Sequence, residues 1–166
     1  MKRFYQIVCL AMLVPALCYA ESKDHEFVGS TPSDIVNLSP KLRNLLSREM
    51  RQLQIGMTEI YPMYISGNWA GIVPIAKKME NSYVLKQNLT NEQRHELHSK
   101  LSNEFIKLDQ SFHYLAGMLG HAAEMKKPEL IGFYYSKMNE TCLSCHTQFA
   151  THKFPALAPT TKVHGH

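Results

Sequence analysis

The apolar residues Leu97, Leu101, Phe105, Leu108, Phe112, Leu115, Leu119 and Ala122 follow one another at steps of three and four. Steps of that size lay one stripe along a helix, whereas a strand needs a period of two. A stripe this long has to be covered, and the natural cover is other helices crossing it at a shallow angle. The chain supplies three more such stretches. Leu42, Leu46, Met50, Leu53, Met57, Ile60 and Tyr64 mark the first, which opens at Ser39-Pro40 and breaks at Gly67-Asn68. A capping hydroxyl followed by proline at the first helical position is a start signal. Ile72, Ile75, Met79 and Tyr83 mark a second stretch from Trp69 to Leu89, with Pro74 near its start.

Thr90 and Gln93 form a capping box ahead of the long stripe, and Lys126-Lys127-Pro128 separates it from a fourth stretch. There Leu130, Tyr134, Met138, Cys142, Cys145 and Phe149 keep the same rhythm until Pro155 and Pro159. No strand-like alternation and no internal repeat interrupts the pattern. The expectation is an all-α fold, an antiparallel four-helix bundle over residues 39–155. A polar arm over 21–38 precedes it and a flexible tail over 156–166 follows. The length of 166 residues suits one domain, and 45% apolar against 19% charged residues suits a packed core. The 18 basic residues barely exceed the 14 acidic ones, and no Lys/Arg run is longer than two, so nucleic-acid binding is not expected.

The first twenty residues stand apart. Lys2 and Arg3 precede an uncharged apolar run that ends at Ala20, before Glu21-Ser22-Lys23-Asp24. That is the order of a secretory signal peptide, with cleavage expected near Ala20 and no stable membrane anchor left behind. Cleavage removes Cys9 and Cys18 as well, so Cys142 and Cys145 are the cysteines that remain. An exported chain with two cysteines so close together has no disulfide framework to build.

Cys142-Leu143-Ser144-Cys145-His146 reads C-x-x-C-H, the attachment signature of a c-type haem. Two thiols add to the two vinyl groups of the porphyrin, and the neighbouring imidazole serves as the proximal iron ligand. On a helix these three residues lie at i, i+3 and i+4 and share a face. A thioredoxin-like pair would need a strand–helix setting, and a structural zinc site would need a fourth ligand; the sequence offers neither. One haem c, on the last helix of the bundle, is therefore the expected cofactor.

A helical chain with this motif on its last helix resembles the class II c-type cytochromes, the cytochrome c-prime superfamily. The resemblance spans roughly residues 38–155. The family often carries an aromatic three residues after the ligand histidine, which Phe149 matches, and a basic residue directly after it, where Ala150 stands and Lys153 follows later. The resemblance implies a distal residue from the first helix, either a methionine ligand or a non-ligand side chain. It also implies that dimerisation through the first two helices is possible.

Met50 and Met57 are the candidates on that helix. Met50 lies 17 residues before Gly67, about 25 Å along the axis at 1.5 Å per residue, a depth suited to a motif near the end of an antiparallel fourth helix. It is the preferred ligand, with Met57, or no protein ligand, as alternatives. Arg51 is a candidate for pairing with a haem propionate, and Phe112 for packing on the porphyrin. His113, one step off the stripe, is expected at the surface with His95, His98 and His121. His/Met ligation points to a single-electron carrier of the periplasm, serving periplasmic redox partner proteins and not acting as an enzyme. Iron left five-coordinate would instead suit nitric oxide or carbon monoxide binding.

Overall fold

The structure is a computed structural model that describes residues 34–83, 85 and 89–159. The apolar leader, the cleavage position near Ala20 and the far end of the tail lie outside the described residues. Within them the fold is all-α, with five helices and no strand. We label them α1 (Pro40–Ile65), α2 (Trp69–Glu80), α3 (Asn91–Lys100), α4 (Asn103–Glu124) and α5 (Pro128–Phe149). Short 3-10 turns precede and follow them at Asp34–Asn37 and Pro155–Leu157. None of the described helices is long and apolar enough to cross a membrane.

Local chemistry sets most boundaries. Ser39 caps α1 by accepting the Leu42 N–H, with Pro40 in the first helical position. Gly67, at φ 69°, takes the left-handed conformation that turns the chain after α1, and Asn68 then caps α2 by accepting the Gly71 N–H at 3.1 Å. Thr90 and Gln93 cap α3 reciprocally, as their spacing predicts.

The third helical stretch departs from expectation. It is two helices, because Leu101 and Ser102 take extended backbone and the Ser102 hydroxyl accepts the Phe105 N–H at 3.3 Å. Ser102 therefore starts a new helix instead of continuing the old one. Among the α3 residues only Leu97 is strongly apolar, so this segment has little to bury. It is held by polar contacts: the Ser39 N–H donates to Glu96 at 2.6 Å, and the Lys100 ammonium donates to the Asn37 carbonyl at 2.8 Å. The second stretch is also shorter than its stripe suggests, since α2 ends at Glu80 and Ser82 sits at positive φ. The arm is not wholly loose: Leu38 is buried at its end.

α4 packs most extensively against α2 and α5, and α1 packs against α2 and more narrowly against α5. Polar bonds tie these neighbours. The Tyr135 hydroxyl on α5 donates to the Met57 carbonyl on α1 at 3.1 Å, and His113 Nδ1 on α4 bonds the Met79 carbonyl on α2. Gly56 lets α1 approach α2, since a Cβ there would collide with Met79 and the Tyr83 hydroxyl. On α5 the buried positions are Ile131 and Met138, while Leu130 is 41% exposed, so the inward face lies one residue beyond the expected start of the stripe.

The core comes in two parts. The larger part is built on Ile60, Ile72, Met79, Leu119, Ile131 and their neighbours, where α1, α2, α4 and α5 meet. The smaller part gathers Leu38, Leu42 and Leu46 around Leu101 and Phe105, where α1 meets the α3–α4 junction. Each fully buried side chain of this size contributes about 1.5–3 kcal/mol.

Candidate functional site

Cys142, Cys145 and His146 lie within the last two turns of α5, and all three are half-buried, whereas Leu143 and Ser144 between them face solvent. Both thiols are free. Cys142 packs against the larger core part, while Cys145 and Phe149 pack against the smaller one. The motif thus straddles the boundary between the two. Met50 is half-buried on α1 and packs against both parts, whereas Met57 is buried within the larger one. Phe149 meets Phe105 edge-on, with ring centroids 5.3 Å apart. Phe112 is buried in the larger part, as a stripe residue should be.

Burial governs the site's electrostatics. It pushes the Cys145 thiol up to about 12, helped by the Asp109 carboxylate and by Cys142, and it raises Cys142 as well. It also lowers His146, with the Lys153 ammonium adding to the effect. Near neutral pH both thiols are therefore protonated and the imidazole is neutral. Exchange-active cysteines show the opposite shift, toward thiolate. A neutral imidazole is the form that ligates a metal. Lys153 thus brings positive charge close to His146 although Ala150 occupies the position after Phe149. Beyond α5 the chain doubles back and lays the Phe154 ring on the His146 imidazole, centroids 4.9 Å apart and planes 21° from parallel.

Arg51 is exposed. Together with Arg48, Gln52 and Tyr83 it lines a surface cavity of about 300 Å³. The Tyr83 phenol is held above its ordinary range by burial and by Glu59 and Glu49, so it remains a hydrogen-bond donor. The cavity accordingly presents guanidinium groups and polar hydrogens.

Expectation fails at His113, which is buried at 6% exposure and not at the surface. Its Nδ1 bonds the Met79 carbonyl and its Nε2 lies 3.5 Å from Asp109, so α4 is rotated enough to bring it inside. His95, His98 and His121 are exposed as expected. Glu49 was not singled out from the sequence, yet it is fully buried. Its position three after Leu46 and four before Leu53 places it on the apolar stripe, a signal that was present. Asp109 and Phe154 were also missed: the first acts through space on Cys145, and the second reaches His146 through a turn.

Among the described residues, no group of three or more His, Cys, Asp or Glu side chains is arranged to hold a metal ion by itself. The chain matches no family model, no curated protein and no solved structure.

Proposed function

We propose that the chain is an exported, periplasmic cytochrome of the class II c type, carrying single electrons between periplasmic redox partner proteins. In this reading α1, α2, α4 and α5 form an antiparallel four-helix bundle, with α3 as an accessory segment. One haem c would be held through Cys142 and Cys145, with His146 and Met50 as the residues that would ligate its iron. The haem, when bound, supplies a one-electron ferric/ferrous couple.

One observation carries the reading: a C-x-x-C-H motif lies at the boundary of a divided core, and a first-helix methionine packs against both parts. The residues there fit a large apolar plate with polar edges. Two protonated thiols share a helix face, a neutral imidazole adjoins them, and apolar side chains flank both. The bundle reading is supported by the contacts of α1 and α4, each of which meets both α2 and α5. Export to the periplasm is supported by the leader-like residues 1–20.

The chain's own residues divide the work. Cys142 and Cys145 fix the group to α5, and His146 offers a neutral nitrogen. Met50 offers a thioether, which as an iron ligand would raise the reduction potential and close the site to small molecules. Phe112 and Phe149 supply apolar cover. Arg51, beside Arg48, offers a guanidinium for a propionate carboxylate.

Absorption spectra and intact mass of the protein matured in an exporting host test this. A mass increased by one haem, with low-spin spectra in both oxidation states and no rapid change when the reduced protein meets carbon monoxide, is expected. The bare polypeptide mass would refute the cytochrome. A large, fast carbon monoxide response would refute the methionine ligand and favour five-coordinate iron.

A further inference from the structure

Phe154 lies outside the helix that carries the motif, yet the chain is built to hold it there. Ala150 ends α5, and its carbonyl accepts the backbone N–H groups of both Lys153 and Phe154 at 2.9 Å. Pro155 then opens a 3-10 turn in which the Leu157 N–H donates to the Phe154 carbonyl at 3.0 Å. Phe154 is thus fixed from both sides, and proline stiffens the chain directly after it. The residue is 41% exposed, so filling the core does not explain its place. What the ring does touch is the face of His146, in a near-parallel stack.

We propose that Phe154 is a positioning residue for His146, fixing the plane of the imidazole and covering one of its faces against water. The inference rests on the reading of His146 as an iron ligand. Stacking and ligation are compatible, because imidazole nitrogens bond in the plane of the ring while Phe154 lies over it. A half-exposed ligand needs such a lock more than a buried one. Without it the ring is free to turn about its Cβ–Cγ bond, and water can compete for the nitrogen. Holding a ligand's orientation through a neighbouring side chain is a general way to tune a metal site.

The test uses full-length protein matured in an exporting host, as parent, Phe154→Ala and Phe154→Tyr. Intact mass is read first, and a bare polypeptide in the parent overturns the cytochrome reading and this inference together. With haem attached, an acid jump follows loss of the axial imidazole by the Soret band, and electron paramagnetic resonance of the ferric form reports the imidazole plane. The alanine variant should lose the ligand about 2- to 12-fold faster, the range an aromatic contact supports, and should show altered g-anisotropy. The tyrosine variant, which keeps the ring, should match the parent in both. Haem-bearing alanine protein that behaves like the parent overturns this inference and leaves the cytochrome reading standing. So does a tyrosine variant that behaves like alanine.

Discussion

The Glu49 carboxylate, fully buried, accepts the backbone N–H of Tyr83 at 3.0 Å and so joins the middle of α1 to the turn that follows α2. Its other oxygen accepts the Leu85 N–H at 3.3 Å. Glu49 precedes Met50 directly, so this joint also sets where Met50 stands relative to the α2 end of the fold.

Replacing Glu49 with alanine removes the carboxylate that the Tyr83 amide donates to, while the Leu85 amide keeps the Ser82 hydroxyl as an acceptor at 3.1 Å. An unsatisfied buried group costs about 1–3 kcal/mol, and the variant should lose that much in urea unfolding. Glutamine keeps one acceptor oxygen and should lose less than alanine. Equal stability of parent and alanine variant would show that the joint is not a structural one.

Met50 and Met57 should part ways when each is changed to leucine. Met50→Leu in the haem-bearing protein should turn the oxidised spectrum high-spin and open the reduced protein to carbon monoxide. Met57→Leu conserves volume in a packed region and should leave the spectrum low-spin, at a cost below about 1.5 kcal/mol. A low-spin Met50→Leu spectrum would assign the ligand elsewhere.

Alkaline stability of the haem-free chain should follow Cys145. An ordinary thiol titrates near 9.0, while the folded protein holds Cys145 up to about 12. The unfolded chain therefore gives up its proton first as pH rises. Stability from the neutral thiol is complete below pH 9.0 and drains away between 9.0 and about 12. Urea midpoints should fall across that window in the parent and less in Cys145→Ser. His146 acts with the opposite sign: its lowered value means the unfolded imidazole protonates first, so stability is lost as pH falls below 6.5. Parallel alkaline slopes in parent and Cys145→Ser would contradict the buried-thiol account.

Ser102 should matter more than its small size suggests. Ser102→Ala deletes the cap of α4 and should cost about 1 kcal/mol, with Ser102→Asp, another good cap, close to the parent. Thermal unfolding of the pair decides it; an alanine variant as stable as the aspartate one would show that packing alone places the break.

Much of the helical order was readable because the stripes and caps are local. Ser39-Pro40, Gly67-Asn68 and the Thr90–Gln93 box mark boundaries where the structure has them. The break at Ser102 was readable too, but the apolar run through Leu101 and Phe105 masks it. Steps of four and four look like a continuous helix, although Leu101 lies in the break itself and Phe105 in the helix after it, and both bury into one cluster. The motif residues are plain in sequence, since adjacent positions on one helix need no tertiary knowledge. His113, Asp109 and Phe154 were not, because their roles come from helix rotation, from a field acting through space and from a hydrogen-bonded reversal. None of these leaves a periodic trace.

The division of the hydrophobic interior has a thermal consequence. Leu42, Leu46 and Phe105 share few partners with Ile60, Ile72 and Leu119, and Met50 is a side chain that borders both groups. Two masses coupled so thinly need not melt together: the end held by α3 can come apart while the other persists. A rigid insert clamped between them would make calorimetry record one sharp transition in place of two shallow ones.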